Sequence, residues 1–546
     1  MAPTHDVLNQ PPPLQDYDVF AADAALVEAT EREGAGWALE DLAALGRLAG
    51  SPEAIAWGFE ANRHTPELRT HDRFGNRVDE VAFHPAYHEL MQVSVGHGLA
   101  GAAWAVDRPG AHVARAAGFI IWQQVDPGHF CPVSMTYSVV PALRHQPDLA
   151  REWEPQLVAR AYDPRNVPAP EKPGVLAGMG MTEKQGGSDV RANTTRAEPA
   201  GDGSWLLTGH KWFCSAPMCD VFLMLAQAPQ GLSCYLVPRW LPDGDRNAGF
   251  RLQRLKDKLG NRSNASSEIE LDQAVAWPVG EEGRGVRTII DMVGHTRLDC
   301  VLGATSTVRQ ATAQALHHAA HRSAFGKVLV DQPLMRVVLA DLAVESEAGT
   351  LTALRLARAF DDAARGDEGA DAFRRVACAV AKYWVCKRQP TVVGEALECL
   401  GGNGYVEESV MPRLFRESPL NGIWEGSGNV ICLDVLRALA REPLALDAFL
   451  AELDAAAGAD RHLDAAVARV RAELGDLDGI EARARRVVEA MALALQGSLL
   501  VRFGQPAVAD AFCASRLAGD EGLALGTLPP TVDVGTIIER AQPKIP

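Results

Sequence analysis

The chain has 546 residues, above the size at which one hydrophobic core keeps growing, so several domains are expected. Its 47% hydrophobic and 23% charged residues are ordinary for a globular protein, and a net charge of −17 argues against a uniformly basic nucleic-acid surface. No run of about 18 apolar residues occurs, so no membrane span is expected. The first twenty residues lack the basic-then-apolar pattern of a secretory leader. Ten cysteines without a CxxC pair point to reduced thiols and a cytoplasmic location. His317, His318 and His321 lie close together in a helical pattern without acidic partners, so no metal site is expected.

Residues 1–178 read as an N-terminal helical domain: "AADAALVEATEREG" and "HELMQVSVGHGLAGAAWAV" carry apolar residues at helical spacing. From 179 to 288 the pattern changes to a small β domain. Its runs "SWLLTGHKWF", "VFLMLAQA", "LSCYLVPRW", "FRLQRL" and "SSEIELDQAVAW" are punctuated by glycine and proline. Residues 289–442 predict a bundle of four long amphipathic helices, the first running to Gly326 and the third covering 371–400. An Ala-rich helical block, 443–546, is appended. The fold class is thus mainly α with a central β domain.

No strand–GxGxxG–helix unit is present, so a Rossmann dinucleotide site is not expected. Two polar, Gly-rich stretches remain, "GMGMTEKQGGSDVRANTT" at 178–195 and "LGGNGY" at 400–405. Their backbone amides suit phosphate oxygens or a ring edge; taken singly, each reads better as an ordinary turn.

Together with "GHKWFCS" at 209–215, "RLKDKLGNRSNAS" at 254–266 and "NGIWEGSGNV" at 421–430, these stretches resemble the acyl-CoA dehydrogenases. Those are flavoproteins with a helical domain, a β-barrel-like domain and a four-helix bundle. "NQPPPL" at 9–14, "DQPLMR" at 331–336 and the extra C-terminal helices resemble the AidB-like, adaptive alkylation response branch. The resemblance implies non-covalent FAD and a homotetramer. Met181, Thr182, Gly187 and Ser188 would line the flavin, with Trp212, Phe213 and Ser215 on the β side. Arg322, Phe325 and Gln332 match the family's RxxFG…Q segment, and Leu400, Gly401, Gly402 and Gly404 its LGGxGY loop; in the family both serve a neighbouring subunit's FAD. Trp424, Ser427 and Asn429 match positions beside the cofactor.

In the family, the glutamate before this last glycine removes the α-proton of an acyl thioester while the β-hydride passes to the flavin. That role falls here on Glu425. A ring such as Trp424 beside a carboxylate disfavours its charge and makes it a better base. The competing reading is a loop glutamate paired to Arg416. Two departures stand out. The usual Tyr-Glu-Gly-Thr is Trp424-Glu425-Gly426-Ser427, placing a bulky ring where an acyl chain would pass, and Thr296-Arg297 replaces the Glu-Arg pair that supplies the base in some members.

The branch's extra helices are associated with DNA. Here residues 441–546 hold eleven Lys and Arg against sixteen Asp and Glu, a net acidic block. Binding to duplex DNA would need a local basic patch, with Arg437 and Arg441 the candidates and residues 483–486 a second cluster. Three readings therefore stay open: an FAD-dependent acyl-CoA dehydrogenase, a DNA-associated flavoprotein of the alkylation response with vestigial activity, and an assembly that uses FAD as a folding ligand.

Overall fold

The computed structural model describes residues 4–545. Helices start where the chain meets their unsatisfied N–H groups. Pro85, Pro147, Pro333, Pro443 and Pro506 occupy first turns, where a missing N–H costs nothing. Asp23, Asp367, Asp460 and Asp533 cap others through a side-chain oxygen. The N-terminal helices are α1 (Ala24–Thr30), α2 (Leu39–Ala49), α3 (Pro52–Arg63), α4 (Pro85–Gly96), α5 (Ala111–Trp122), α6 (Phe130–Leu143) and α7 (Pro147–Leu157). The chain gathers into two compact units. One comprises residues 56–111 and 125–299; the other comprises residues up to 55, 112–124 and from 300 onward.

The first unit is built on a sheet of seven strands: β3 (Ala177–Gly180), β4 (Arg196–Pro199), β5 (Trp205–Ser215), β6 (Val221–Ala228), β7 (Gly231–Pro238), β8 (Phe250–Leu255) and β9 (Ser266–Val279). The path β6–β4–β5–β9–β7 returns to β6, which closes the sheet like a barrel; β3 joins β6 in parallel and β8 joins β9. Closure removes free edges. It also explains why β6 and β7 are apolar almost throughout, being buried along nearly their whole length. Residues 1–178, expected to be helical, also contain a hairpin of β1 (Glu67–His71) and β2 (Arg77–Ala82). Its turn is folded by Asp72, whose Oδ1 accepts the N–H groups of Phe74 and Asn76.

Beneath the turn that follows β3 lies a buried ion pair. Lys211 Nζ donates to Glu183 Oε1 at 3.0 Å and to Leu225 O at 2.7 Å, and neither charged side chain has exposed surface. The Glu183 carboxylate also accepts from Thr194 N at 2.7 Å and Thr195 N at 3.1 Å. Burial alone would raise its pKa, yet the Lys211 charge and these donors hold it well below the ordinary 4.5.

The second unit contains the greater part of α8 (Gly285–His321), then α9 (Pro333–Ala364), α10 (Glu368–Cys399), α11 (Gly402–Tyr405), α12 (Met411–Glu417) and α13 (Gly428–Arg441). After them come α14 (Pro443–Asp454), α15 (Arg461–Gly475), α16 (Ile480–Phe503), α17 (Pro506–Phe512) and α18 (Val534–Ala541). Helix α16 packs against α9, α10 and α13. The helix expected to run to Gly326 ends at His321. A small hairpin, β10 (Ser323–Ala324) with β11 (Lys327–Val328), replaces its last turn. The two residues between, Phe325 at φ +51° and Gly326 at +77°, both have positive φ, as a type I′ turn requires. The helix expected over 371–400 starts one turn earlier, at Glu368, behind its Asp367 cap. No helix among the described residues is long and apolar enough to cross a membrane.

The C-terminal segment is tied to α9 by Arg516, which is buried against Asp341, lies 3.0 Å from Glu345 and reaches Glu521 at 3.1 Å. Arg516→Ala leaves two buried carboxylates short of a partner and is expected to cost about 3–5 kcal/mol. Urea unfolding followed by circular dichroism checks this. For Glu183, a carboxyl with a depressed native pKa contributes stability that is present above its ordinary value of 4.5 and is lost as pH falls below it. The urea midpoint is therefore expected to drop on acidification through that range, and Glu183→Gln should flatten the drop while destabilising the protein at neutral pH.

Candidate functional site

In the sheet-bearing unit, the first Gly-rich stretch is a turn held on β5. Trp212 N donates to Thr182 O at 2.9 Å, and Asn193 Nδ2 to Met181 O at 2.9 Å. The Glu183–Lys211 pair sits under this turn. Gly187 is required beside Thr182, since a Cβ there would lie 2.5 Å from Thr182 Oγ1. Gly187 and Ser188 are exposed and Met181 and Thr182 half-buried. Phe213 is 59% exposed, a large ring left to be covered by something other than this chain's core. Trp212 differs: Lys256 Nζ lies 3.2 Å from its ring centroid, so one face of that indole is already taken by a cation. Ser215 Oγ accepts from Asn264 Nδ2 at 3.3 Å and lies 3.4 Å from Ser266 Oγ.

In the helical unit, the structure joins the two segments that serve cofactor binding in the resemblance. Asn9 clamps the β10–β11 hairpin: its Oδ1 accepts from Ser323 N at 2.8 Å, its Nδ2 donates to Ser323 O at 2.8 Å, and its carbonyl accepts from Arg322. Gln332 Nε2 braces the same hairpin through Ala324 O at 3.0 Å. The next residue, Gln10, accepts from Asn403 Nδ2 at 3.1 Å in the 400–405 loop. Phe325 at the hairpin tip is 100% exposed and Tyr405 80% exposed. Gly401 has φ +57°, and a Cβ on Gly401 or Gly402 would meet no atom within 4 Å, so the backbone there faces open space. Gly404 is buried, and a Cβ on it would lie 2.4 Å from Leu397 O; Leu400 is buried beside it. The roles of Asn9 and Gln10 escaped sequence reasoning, although "NQPPPL" was a visible signal.

Glu425 lies between a short 3-10 turn at Leu420–Gly422 and α13. It is half-buried and has φ +56°, followed by Gly426 at +105°. A left-handed conformation costs a non-glycine residue about 1–2 kcal/mol, so the surroundings must impose it. The adjacent Trp424 is pinned: its Nε1 donates to Asn421 Oδ1 at 2.9 Å, and Asn421 Nδ2 donates to Gln389 Oε1 at 3.3 Å. Asn429 Oδ1 accepts from Arg485 Nε at 2.7 Å, so that acceptor is engaged within the protein. Ser427 is exposed at the start of α13. Arg416 makes a two-bond pair with Glu407, at 2.6 and 3.0 Å, which engages the partner suggested for Glu425 in the competing reading.

Other polar clusters are structural. Ser94, His129 and Asp126 form a Ser–His–Asp chain at 2.8 and 3.0 Å, but all three are fully buried and no substrate reaches the hydroxyl. The fold also brings together Glu60, His64 and His84, with ligand atoms within 4.8 Å of one another, which the sequence reading did not foresee. His84 Nδ1 accepts the N–H of Ala86 at 3.3 Å, so this nitrogen serves as the cap of α4. Arg437 and Arg441 are exposed on α13, with Arg437 3.8 Å from Asp434. In the 483–486 cluster, Arg483 and Arg486 pair with Glu473.

Comparison with known proteins covers almost the whole length. Residues 9–164 match the profile of the adaptive response protein AidB N-terminal domain. Residues 178–274 match the acyl-CoA dehydrogenase middle domain, and 283–440 the acyl-CoA dehydrogenase C-terminal domain. The AidB protein of Escherichia coli (strain K12) is 46% identical over 512 residues, which is 93% of this chain and 94% of the relative. The crystal structure of Caenorhabditis elegans ACDH-11 in complex with C11-CoA superposes with a TM-score of 0.84 at 25% identity, covering 100% of this chain and 94% of that one. An acyl-CoA dehydrogenase from Bacillus anthracis complexed with FAD shares the fold, at a TM-score of 0.63 and 18% identity over 80% of this chain and 81% of that one. Profile matches in family order, near-half identity along the full length and the shared barrel-and-bundle architecture place the chain in the acyl-CoA dehydrogenase family, in its AidB branch, with FAD as the cofactor that comes with that membership.

Proposed function

We propose that this protein removes the α-proton of an acyl thioester at Glu425, the proton-abstracting half of an α,β-dehydrogenation. The observation that carries this reading is the left-handed Glu425, half-buried, followed by a glycine and preceded by a pinned tryptophan. Such strain persists where the surroundings fix a functional side chain in one place. The other position used for a base in the family is Thr296, whose hydroxyl donates to Val293 O at 3.1 Å and is no base at neutral pH. The substrate class is supported by the C11-CoA bound to the C. elegans relative.

The residues present fit FAD. The helical unit offers the open backbone at Gly401 and Gly402, exposed Phe325, and Arg322 as a cation for pyrophosphate. The sheet-bearing unit offers the turn of Met181, Thr182, Gly187 and Ser188, with Phe213 and Ser215 on β5. Trp212 has one face already covered by Lys256, and within the helical unit Leu400, Gly404, Gln332, Trp424, Ser427 and Asn429 shape the loops that carry Gly401, Phe325 and Glu425. When bound, FAD supplies the hydride acceptor. The protein's own part is to hold a carboxylate oxygen where the α-proton leaves, and to exclude water with the Trp424 ring. The exposed Phe325 and Tyr405 are suited to cover by a neighbouring copy, in line with a homotetramer. Ten cysteines, nine of them buried and none in a disulfide among the described residues, suit a cytoplasmic setting.

The duplex-DNA reading through Arg437 and Arg441 gains less from the geometry. Six of the eleven basic residues after 440, namely Arg471, Arg483, Arg486, Arg502, Arg516 and Arg540, form ion pairs within the chain. Charge already met by carboxylates is poorly placed to release counterions from phosphates.

Glu425→Gln keeps shape and removes the proton acceptor. Anaerobic mixing with C11-CoA is expected to bleach FAD in the wild type, and to do so at least about a hundred-fold more slowly in the variant, with FAD content unchanged. Equal bleaching in both would assign the base elsewhere. Light scattering of the FAD-loaded protein is expected to give a tetramer mass; a monomer retaining FAD would contradict the cover assigned to Phe325.

A further inference from the structure

The carbonyls of the two residues on either side of Glu425 share one partner. Lys382 Nζ on α10 donates to Trp424 O at 2.8 Å and also to Gly426 O. Lys382 is 1% exposed, among the largest fully buried side chains of the protein. An ammonium so far from water is costly unless acceptors meet its protons, and here two main-chain oxygens of a single turn do so. The same face of α10 meets the loop twice more. Gln389 Oε1 accepts from Asn421 Nδ2, and Cys386 O lies 3.7 Å from where a Cβ on Gly422 would stand. Positions 382, 386 and 389 are spaced four and three residues apart, one stripe of a helix.

The turn this stripe holds is one that a glutamate resists. Glu425 has φ +56° without the short side chain that eases asparagine or aspartate into that region. Neither carbonyl can swing away while both accept from one ammonium, so the peptide plane before Glu425 and the plane after Gly426 are held together, and the backbone of residues 425 and 426 must bridge them.

Resting on the reading of Glu425 as the base, we propose that Lys382 is a positioning residue. Its ammonium clamps the carbonyls of Trp424 and Gly426, keeps Glu425 left-handed and thereby sets where the carboxylate stands. It acts through the backbone of Glu425, not on the reacting atoms.

The test compares FAD-loaded wild type, Lys382→Met and Glu425→Gln by anaerobic stopped flow with C11-CoA. Lys382→Met is expected to retain flavin and half-saturate at the wild-type concentration, but to reduce flavin about a hundred-fold more slowly, the penalty for a base displaced by about 1 Å. A wild-type rate in Lys382→Met beside an inactive Glu425→Gln overturns the positioning role and leaves the base reading intact. Bleaching by Glu425→Gln at the wild-type rate, or none by the wild type, overturns both. A second measurement covers loss of folding. In a Glu425→Gly background the left-handed turn carries no strain, so Lys382→Met is expected to lower the melting temperature less there than alone, or to regain a folded state it lacks alone. An equal drop in both backgrounds marks a general core lysine and overturns the proposal.

Discussion

A lysine ammonium with almost no exposed surface must find oxygen acceptors at fixed places, and residues 421–428 are shaped by that demand. Lys382 takes the carbonyls of Trp424 and Gly426; Asn421 links Gln389 to the Trp424 indole; Tyr383 lies 3.4 Å from where a Cβ on Gly428 would be. The loop is thus held from α10 along its length, and its strained residue is the one proposed as the base. A hydrophobic contact could not do this, because it has no direction; a hydrogen bond from a charged donor has both direction and, away from water, strength.

The sheet-bearing unit uses the same physics on a different loop. Lys211 is buried beneath the turn of Met181 to Ser188 and satisfied by Glu183 and a strand carbonyl. Glu183 then collects the N–H groups of Thr194 and Thr195, which fixes both ends of the Gly-rich stretch. Across the acidic chain as a whole, cations are consumed internally in like manner. Glu452 receives both Arg355 at 2.6 Å and Arg502 at 2.7 Å, and Arg540 bridges Glu28 and Glu347. The net charge of −17 therefore coexists with a dense set of ion pairs that spend basic side chains on packing rather than on a basic surface.

Much of the fold was legible because period and punctuation carry it. The five longer strands of the sheet stand out as short apolar runs bounded by glycine, proline and other turn residues, and the long helices as apolar stripes ending at proline or glycine. Strands β3 and β4, four residues each, are too short to show a period, and the 67–82 hairpin hides between helices with only its Asp-x-x-Gly turn as a signal. The site residues were legible through resemblance, but their states were not. Positive φ is announced by glycine or asparagine, and Glu425 and Phe325 are neither. Lys382 reads in sequence as one more helix cation, since nothing local says that its tip will meet a loop forty residues away; the contact belongs to tertiary structure. Asn9 escaped for the same reason, its partners lying more than three hundred residues along the chain.

For the proposed base everything turns on placement: the Glu425 carboxylate has to lie beside the α-carbon of an acyl thioester. A crystal structure of the FAD-loaded protein with C11-CoA measures it directly. A carboxylate oxygen is expected within about 3–3.5 Å of the α-carbon, with residue 425 still left-handed and Lys382 on the carbonyls of Trp424 and Gly426. A Trp424 ring filling the space beside the flavin, with the acyl chain bound elsewhere or Glu425 turned away from it, would overturn the assignment of Glu425 as the base.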